Sequence, residues 1–574
     1  MWLLTGANGY CFDHENTRFD AVVVDGASIA AVGTATELRL QFAGHIERTL
    51  DVGGATVIPG LVDSHLHVAA LGEQSLALDL TGVGSRGELL ARVTRHASKL
   101  APGAWVQGSG WDDNRMQGGV PTIDELDHAA GGRPVLLTRV CRHAYLANRV
   151  AFERAGLSAS LPDPVDGRYG RDASGKLNGW VYENAARPFL RAIPSWTEVD
   201  WEHALEVGMR SALAVGVTAV HTDDTRNLGG FAPTWRLYRR LLERGVRLRV
   251  HELVDWHVLS EARMVLLGGE GHTTAAQAHD TRQRSGQTGS SSEGLTHNGG
   301  MRLSGRNDLD LADWLEVGAA KLFSDGAFGG RTAWLSAPYS DASETAGTPM
   351  YTVEELTERV QQARRLGFPV AIHCIGDAAL DAVLTALERA GRPTRAITPV
   401  ARDRIIHAEL VRPDLLHRMA RLGESAVIDV QPRFVPSDFP WVADRLGPER
   451  AASVGAWRTM RARGLHLAGG SDAPIEPVSP LLGVHAAVTR RQPDGTEPGY
   501  NLAEALTPVE AIQLFTSDAC FANGSEGRKG RIVAGTLADF TVIDRDVVEP
   551  RHPDDIRDAK VLRTIVGGET AFEV

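Results

Sequence analysis

The sequence predicts an α/β protein: a (β/α)8 TIM-like barrel, with a small β-sandwich domain formed by both termini and an inserted subdomain after barrel strand 1. Three observations predict it. Eight apolar strand-like runs alternate with helical stretches through the middle of the chain, several of them end in a residue able to do chemistry, and short alternating segments with tight turns occupy both chain ends. Strands that alternate with helices call for a parallel sheet. Eight of them call for a closed barrel whose working face lies at the C-terminal strand ends.

The eight runs are Val57 to His67, Val217 to Asp223, Leu248 to Asp255, Ala319 to Asp325, Pro369 to Asp377, Arg404 to Leu410, Ala426 to Pro432 and Leu465 to Asp472. Outside them, Ala21–Asp25, the segments near residues 27–32 and 48–52, residues 530–544 and residues 560–569 read as short antiparallel strands. Residues 1–56 and 521–574 are therefore assigned to two halves of one β-sandwich, since chain ends often lie close together, and 57–520 to the barrel. Residues 75–205 are too many for one βα connection and are read as the inserted subdomain. Residues 268–300, dense in Gly, Ser, Thr, Gln and His, predict a flexible loop. Its His272, His279 and His297 are set aside as ligands, because a metal centre needs rigidly held ones.

Composition narrows the function. A net charge of -12 without a basic stripe argues against nucleic acid as partner and favours a small molecule. No apolar run approaches the roughly 20 residues that span a bilayer, and the start lacks a charged segment followed by an apolar one. A cytoplasmic protein without membrane attachment is expected. Cys11, Cys141, Cys374 and Cys520 have no paired spacing, which suits reduced thiols.

The first run ends in His65-Leu-His67. Side chains two apart in a strand share a face, so both imidazoles can reach one ion. By itself the pair is common, and two exposed loop histidines are the plainer reading. Further strand ends offer Lys321, His373, His407 and Asp472, each after a buried apolar run. Singly these read as core histidines, a surface lysine and a helix-capping aspartate. Placed on strands one, four, five, six and eight of one barrel, all six side chains converge on one point.

With that order of ligands, the sequence resembles the amidohydrolase superfamily of metal-dependent hydrolases. More narrowly it is similar to the amidohydrolase-3 (YtcJ-like) branch, which includes N-substituted formamide deformylases. The motifs that carry the resemblance begin at Pro59, Lys321, Ile372, Gly470 and Gly535: PGLVDSHLH, KLFSDGAFGGRTA, IHCIGD, GSDAP and GTLADF. The resemblance implies that Lys321 is carboxylated by carbon dioxide to a carbamate. It implies one divalent ion on His65, His67, Asp472 and the carbamate, and a second on the carbamate, His373 and His407. Zinc suits such ligands best, with iron, manganese and nickel as alternatives.

The activity implied is cleavage of a linear C–N amide bond, of N-substituted formamide or N-acyl amine type, by a metal-activated water with Asp472 as general base. A metal-dependent deaminase of a heterocyclic amine and a catalytically silent scaffold are the rivals. Lys321 favours the amidase, because such deaminases usually lack the strand-four lysine, and a full ligand set favours an enzyme. For substrate binding, Trp111, His143 and Asn148 of the inserted subdomain are placed at the mouth, with an inter-domain packing and hydrogen-bonding role as the alternative. Asp325, Arg331 and Arg433 are expected to orient a carboxylate or carbonyl, or to prop the site. Asp63 and Glu409 are read as carboxylate partners of the ligand imidazoles, or as solvated residues. Barrels of this family often dimerise, so a homodimer stays open, and no interface is legible.

Overall fold

A computed structural model describes residues 1–113, 116–139, 144–158, 162–164, 167–267, 311–393, 396–495 and 498–574. Two compact units emerge, one from Met1–Ala70 with Met209–Val574 and one from Leu71–Gly208. The loop expected at 268–300, with its three histidines, lies outside the described residues, as do Cys141 and His143.

The larger unit holds the barrel. Its strands are β1 (Leu61–Leu66), β2 (Val217–Thr222), β3 (Arg249–Asp255), β4 (Leu315–Phe323), β5 (Val370–Cys374), β6 (Asp403–His407), β7 (Ala426–Val430) and β8 (Leu467–Gly469). They pair in sequence order and all in parallel. Beyond β8 the backbone returns to β1, with Asp472 N–H donating to His65 O at 2.7 Å and His67 N–H donating to Ala473 O at 2.8 Å. The seam of the barrel is thereby drawn together at the working face.

Helices follow the strands as the pattern requires. Val353–Leu366 starts at a Thr352/Glu355 capping box, stops at Gly367 in the left-handed region, and buries Leu356, Val360 and Ala363 against the outer wall. Inside the barrel, Leu253, Ala319, Ala371 and Ile406 form an apolar layer. A polar layer also crosses the interior: Arg404 bonds Asp429 through Nε at 2.8 Å and Nη2 at 2.6 Å, and its Nη1 lies 3.1 Å from His221 Nδ1. Arg404 and Asp429 are 1% and 0% exposed, so neither charge has water to fall back on.

The first apolar run proves to be two strands. Thr56–Pro59 pairs with Phe540–Ile543 in a six-stranded terminal sheet, and the chain then enters β1 through Gly60. A Cβ at Gly60 would sit 2.4 Å from Thr218 Oγ1, so the crossing from one sheet to the other needs glycine. The other terminal sheet has four strands, all from residues before Asp51 or ending there. The smaller unit is built on a six-stranded sheet with Leu80, Leu89, Val93, Val106, Leu126 and Leu137 in its core. Cys11, Cys374 and Cys520 are free and buried. Among the described residues no helix is long and apolar enough to cross a membrane.

Asp429→Ala strands the Arg404 charge and is expected to cost about 3–5 kcal/mol in urea unfolding, most of it recovered when Arg404→Met is added. Glu316 Oε2 receives His251 Nδ1 at 3.4 Å and Asn523 Nδ2 at 3.1 Å. Burial pushes the Glu316 carboxyl up, but the His251 bond and nearby Lys529 outweigh it and hold it at about 2, against an ordinary 4.5. Its stabilising contribution is complete above pH 4.5 and drains as pH falls through 2, so Glu316→Gln should flatten the acid limb of a Tm-versus-pH curve in that window.

Candidate metal centre

The six side chains expected at the strand ends lie on one face of the larger unit. His65 Nε2 and His67 Nε2 stand 3.4 Å and 3.1 Å from the same Asp472 oxygen. The donor atoms of these three residues all lie within 4.8 Å of one another, the group among the described residues best placed to hold an ion. Lys321 Nζ donates to His65 Nε2 at 3.2 Å, the His65 and His407 ring centroids are 5.8 Å apart, and those of His373 and His407 are 4.5 Å apart.

Local backbone decides two of these positions. Along β6, Arg404 and Ile406 face the barrel interior, so strict alternation would turn His407 outward. A left-handed φ of 74° at His407, with 45° at Ala408, swings the imidazole back to the others. Asp472 also has a positive φ, 58°. Just before it, Gly470 lets the chain lie against β1, since a Cβ there would meet His65 N at 2.6 Å.

Neutral imidazole nitrogens are what a divalent ion requires. Burial and the Lys321 charge hold His65 well below the usual histidine range, burial and His407 do the same to His373, and burial takes His407 down to about 4. His407 Nδ1 is fixed by Gln431 Oε1 at 2.7 Å and His373 Nε2 by the Gly326 carbonyl at 3.1 Å, which frees the other nitrogen of each ring. His65 Nδ1 is buried with no hydrogen-bond partner. His67 differs: burial works to lower it, yet the Asp223 and Asp472 carboxylates raise it to about 10. Two carboxylates at one imidazole make an anionic corner suited to a cation, and the donor set as a whole fits a divalent metal.

Asp223 was missed in the sequence reading. Its carboxylate bonds His67 Nδ1 and, at 3.0 Å, the Lys321 ammonium. These cations hold it far below the carboxylate range although burial opposes them. The signal was present: it follows β2, two residues past the inward-facing His221. Gln431, past β7 in the same way, was missed too. These two are the imidazole partners, in place of the expected Asp63 and Glu409. Asp63 instead accepts backbone N–H groups of His65, two residues ahead on its own strand, at 3.2 Å and of Ser471, on the chain returning from β8, at 3.0 Å. Glu409 is buried, with Oε2 unpartnered.

The expected substrate-binding residues divide. Trp111 is wholly buried in the smaller unit, its Nε1–H donated to Leu137 O at 3.2 Å and its ring packed on Trp180. Asn148 caps a helix there, with Oδ1 accepting Ala151 N–H at 3.0 Å and Val135 N–H at 2.8 Å. Both side chains are engaged inside that unit. Asp325 is buried and takes N–H groups of Trp334, Ile375 and Gly376, which makes it a prop for the chain after β5. Burial pushes its carboxyl up to about 7. Arg331 is committed to Asp341 through two bonds, at 3.1 and 2.8 Å. Arg433 keeps one nitrogen, Nη1, unpartnered and buried.

Barrel and converging ligands define a class: (β/α)8 hydrolases built around a metal centre. The amidohydrolase family (Amidohydro_3) matches residues 48–572, and the chain belongs to it. It is 33% identical to YtcJ of Bacillus subtilis, named as an amidohydrolase, over 98% of each chain. It is 30% identical to an N-substituted formamide deformylase of Arthrobacter pascens, covering 100% of this chain and 98% of that one. The crystal structure of an uncharacterized metal-dependent hydrolase from Pyrococcus furiosus aligns with a TM-score of 0.70 at 28% identity, over 95% of this chain and 99% of the other. The chain is thus a metal-dependent hydrolase of carbon–nitrogen bonds.

If Asp223 orients His67 toward the ion, Asp223→Asn should weaken zinc binding about 10- to 100-fold in a competition titration with a chelator, with circular dichroism unchanged. Wild-type affinity in that variant would reject the role.

Proposed function

We propose that this protein hydrolyses a linear amide, an N-substituted formamide or N-acyl amine, with Asp472 as general base. The observation that carries the reading is the single Asp472 oxygen lying within 3.4 Å of both His65 Nε2 and His67 Nε2. Likeness to the Arthrobacter pascens deformylase along the whole chain supports the substrate class.

His65, His67 and Asp472 would hold one divalent ion, zinc by the chemistry of the donors, and His373 and His407 a second. When bound, such an ion supplies Lewis acidity and brings the pKa of water from about 16 toward 7. Lys321 would join these ligands as a carbamate: its ammonium gives up two protons to solvent as Nζ forms a bond to the carbon of carbon dioxide and one C=O π pair moves onto oxygen, so a cation becomes an anionic oxygen donor. Asp223 and His65, both in contact with Nζ, hold the amine where that oxygen is needed. Asp472 takes a proton from the attacking water through Oδ1 and delivers it to the departing nitrogen, so that the amine leaves neutral. Buried Asp63 and the β8-to-β1 backbone bonds keep that carboxylate in place throughout.

Protein reconstituted with zinc and bicarbonate should release amine from members of a panel of N-formyl and N-acyl amines, and lose that activity after chelation. Asp472→Asn should reduce kcat by about 10²- to 10⁴-fold while elemental analysis still finds metal. Ammonia from a heterocyclic amine, with no amide turned over, would instead establish the deaminase.

A further inference from the structure

We infer that Thr222, Asp224 and Tyr238 are positioning residues for His67: from β2 and the helix that follows it, they cap the helix that His67 opens and cannot itself cap. The inference rests on the reading of His67 as a metal ligand and adds what fixes the backbone that carries it.

A helix leaves its first N–H groups without partners of its own, and the side chain just before its first residue ordinarily takes one of them. Thr122, Thr352 and Thr507 each do so for the helices they open. The helix Val68–Leu76 begins straight after His67, so His67 stands at that position. Its imidazole is spent between Asp223 and Asp472 and gives the helix nothing. The cap comes from β2 instead. Thr222 Oγ1 accepts Val68 N–H at 3.1 Å, and Asp224 Oδ1 accepts Ala69 N–H at 2.9 Å. Thr222 donates its own hydroxyl to Asp224 Oδ2 at 2.6 Å, and Tyr238, on the helix Phe231–Glu243, donates to the same oxygen at 2.5 Å. With His67 N–H on Ala473 O at 2.8 Å, three consecutive N–H groups are each held by a group from outside their own segment.

Thr222, Asp224 and Tyr238 are buried, so water does not replace a partner that is lost. Burial pushes the Asp224 carboxyl up, and the hydroxyls of Thr222 and Tyr238 work against it, which keeps Asp224 an acceptor for Ala69. Thr225, next along, is tied to β3: its N–H goes to Glu252 Oε1 at 3.1 Å, and its Oγ1 takes Asp255 N–H at 2.9 Å. One short stretch after β2 therefore grips His67 twice. Asp223 takes the ring, and the residues on either side of Asp223 take the backbone beyond it. Tyr238 acts through Asp224, and loss of its hydroxyl frees the first helical turn and with it the place of the imidazole.

The test is zinc affinity by competition with a chelator, with the Tm of the metal-free protein measured beside it. His67→Ala marks the zinc equivalent concerned. Tyr238→Phe and Thr222→Val, which keep shape and remove one hydroxyl each, should weaken that equivalent about 10-fold. Thr222→Ser, which puts the hydroxyl back without the methyl, should recover most of the loss seen in Thr222→Val even where its Tm stays low. Tyr10→Phe breaks a like bond, from Tyr10 to Asp546 in the terminal sheet, and should lower Tm with zinc affinity kept. Wild-type affinity in Tyr238→Phe or Thr222→Val, or an affinity that simply follows Tm across the four variants, would overturn the inference. Zinc weakened by His67→Ala but not by Tyr238→Phe removes the inference and leaves the ligand; zinc unaffected by His67→Ala removes the ligand reading and the inference with it.

Discussion

The whole site depends on the return of the chain from β8 to β1. Two backbone hydrogen bonds, Asp472 N–H to His65 O and His67 N–H to Ala473 O, join segments some 400 residues apart in sequence and fix a carboxylate between two imidazoles. Gly470 makes the approach sterically open. Without this seam, His65 and His67 would still share a strand end, but nothing would bring Asp472 to them. Each side chain of the cluster is then aimed by a neighbour: His67 by Asp223, His407 by Gln431, His373 by the Gly326 carbonyl.

Below this cluster the barrel interior is not simply oily. Arg404, wholly buried, ties β6 to β7 through Asp429 and reaches the β1 backbone at Ser64 O and His221 on β2. A fully paired guanidinium can be satisfied in only one register of these strands, whereas apolar residues would tolerate a slip. The polar layer therefore specifies the alignment on which the ligand positions depend. Its energetic sign is a separate matter, since a buried ion pair contributes less than its Coulomb attraction suggests.

Much of this was legible in the residues. Periodicity and strand-end chemistry pointed to eight barrel strands, and the structure has eight in the expected order. His65, His67, Lys321, His373, His407 and Asp472 could be picked out because each terminates an apolar run, and such ends meet at one rim of a barrel. Partners of those residues were harder. Asp223 and Gln431 also follow strand ends, but neither lies beside a ligand in sequence, and adjacency misdirected attention to Asp63 and Glu409. Trp111 and Asn148 misled for another reason: a Trp or Asn in a polar stretch looks the same whether it faces a ligand or supports its own fold. Alternation could not reveal that His407 escapes it, because a left-handed residue other than glycine leaves no mark in composition.

The run from Thr56 to Leu66 serves two sheets at once, divided only by Gly60. Its first half is zipped to Phe540–Ile543 and its second half ends one residue short of His67. The terminal β structure is accordingly not a detachable ornament. A strand contributed from near residue 540 grips the backbone five residues upstream of a metal-ligand histidine, so shortening or exchanging the C-terminal region would loosen the reaction centre from behind.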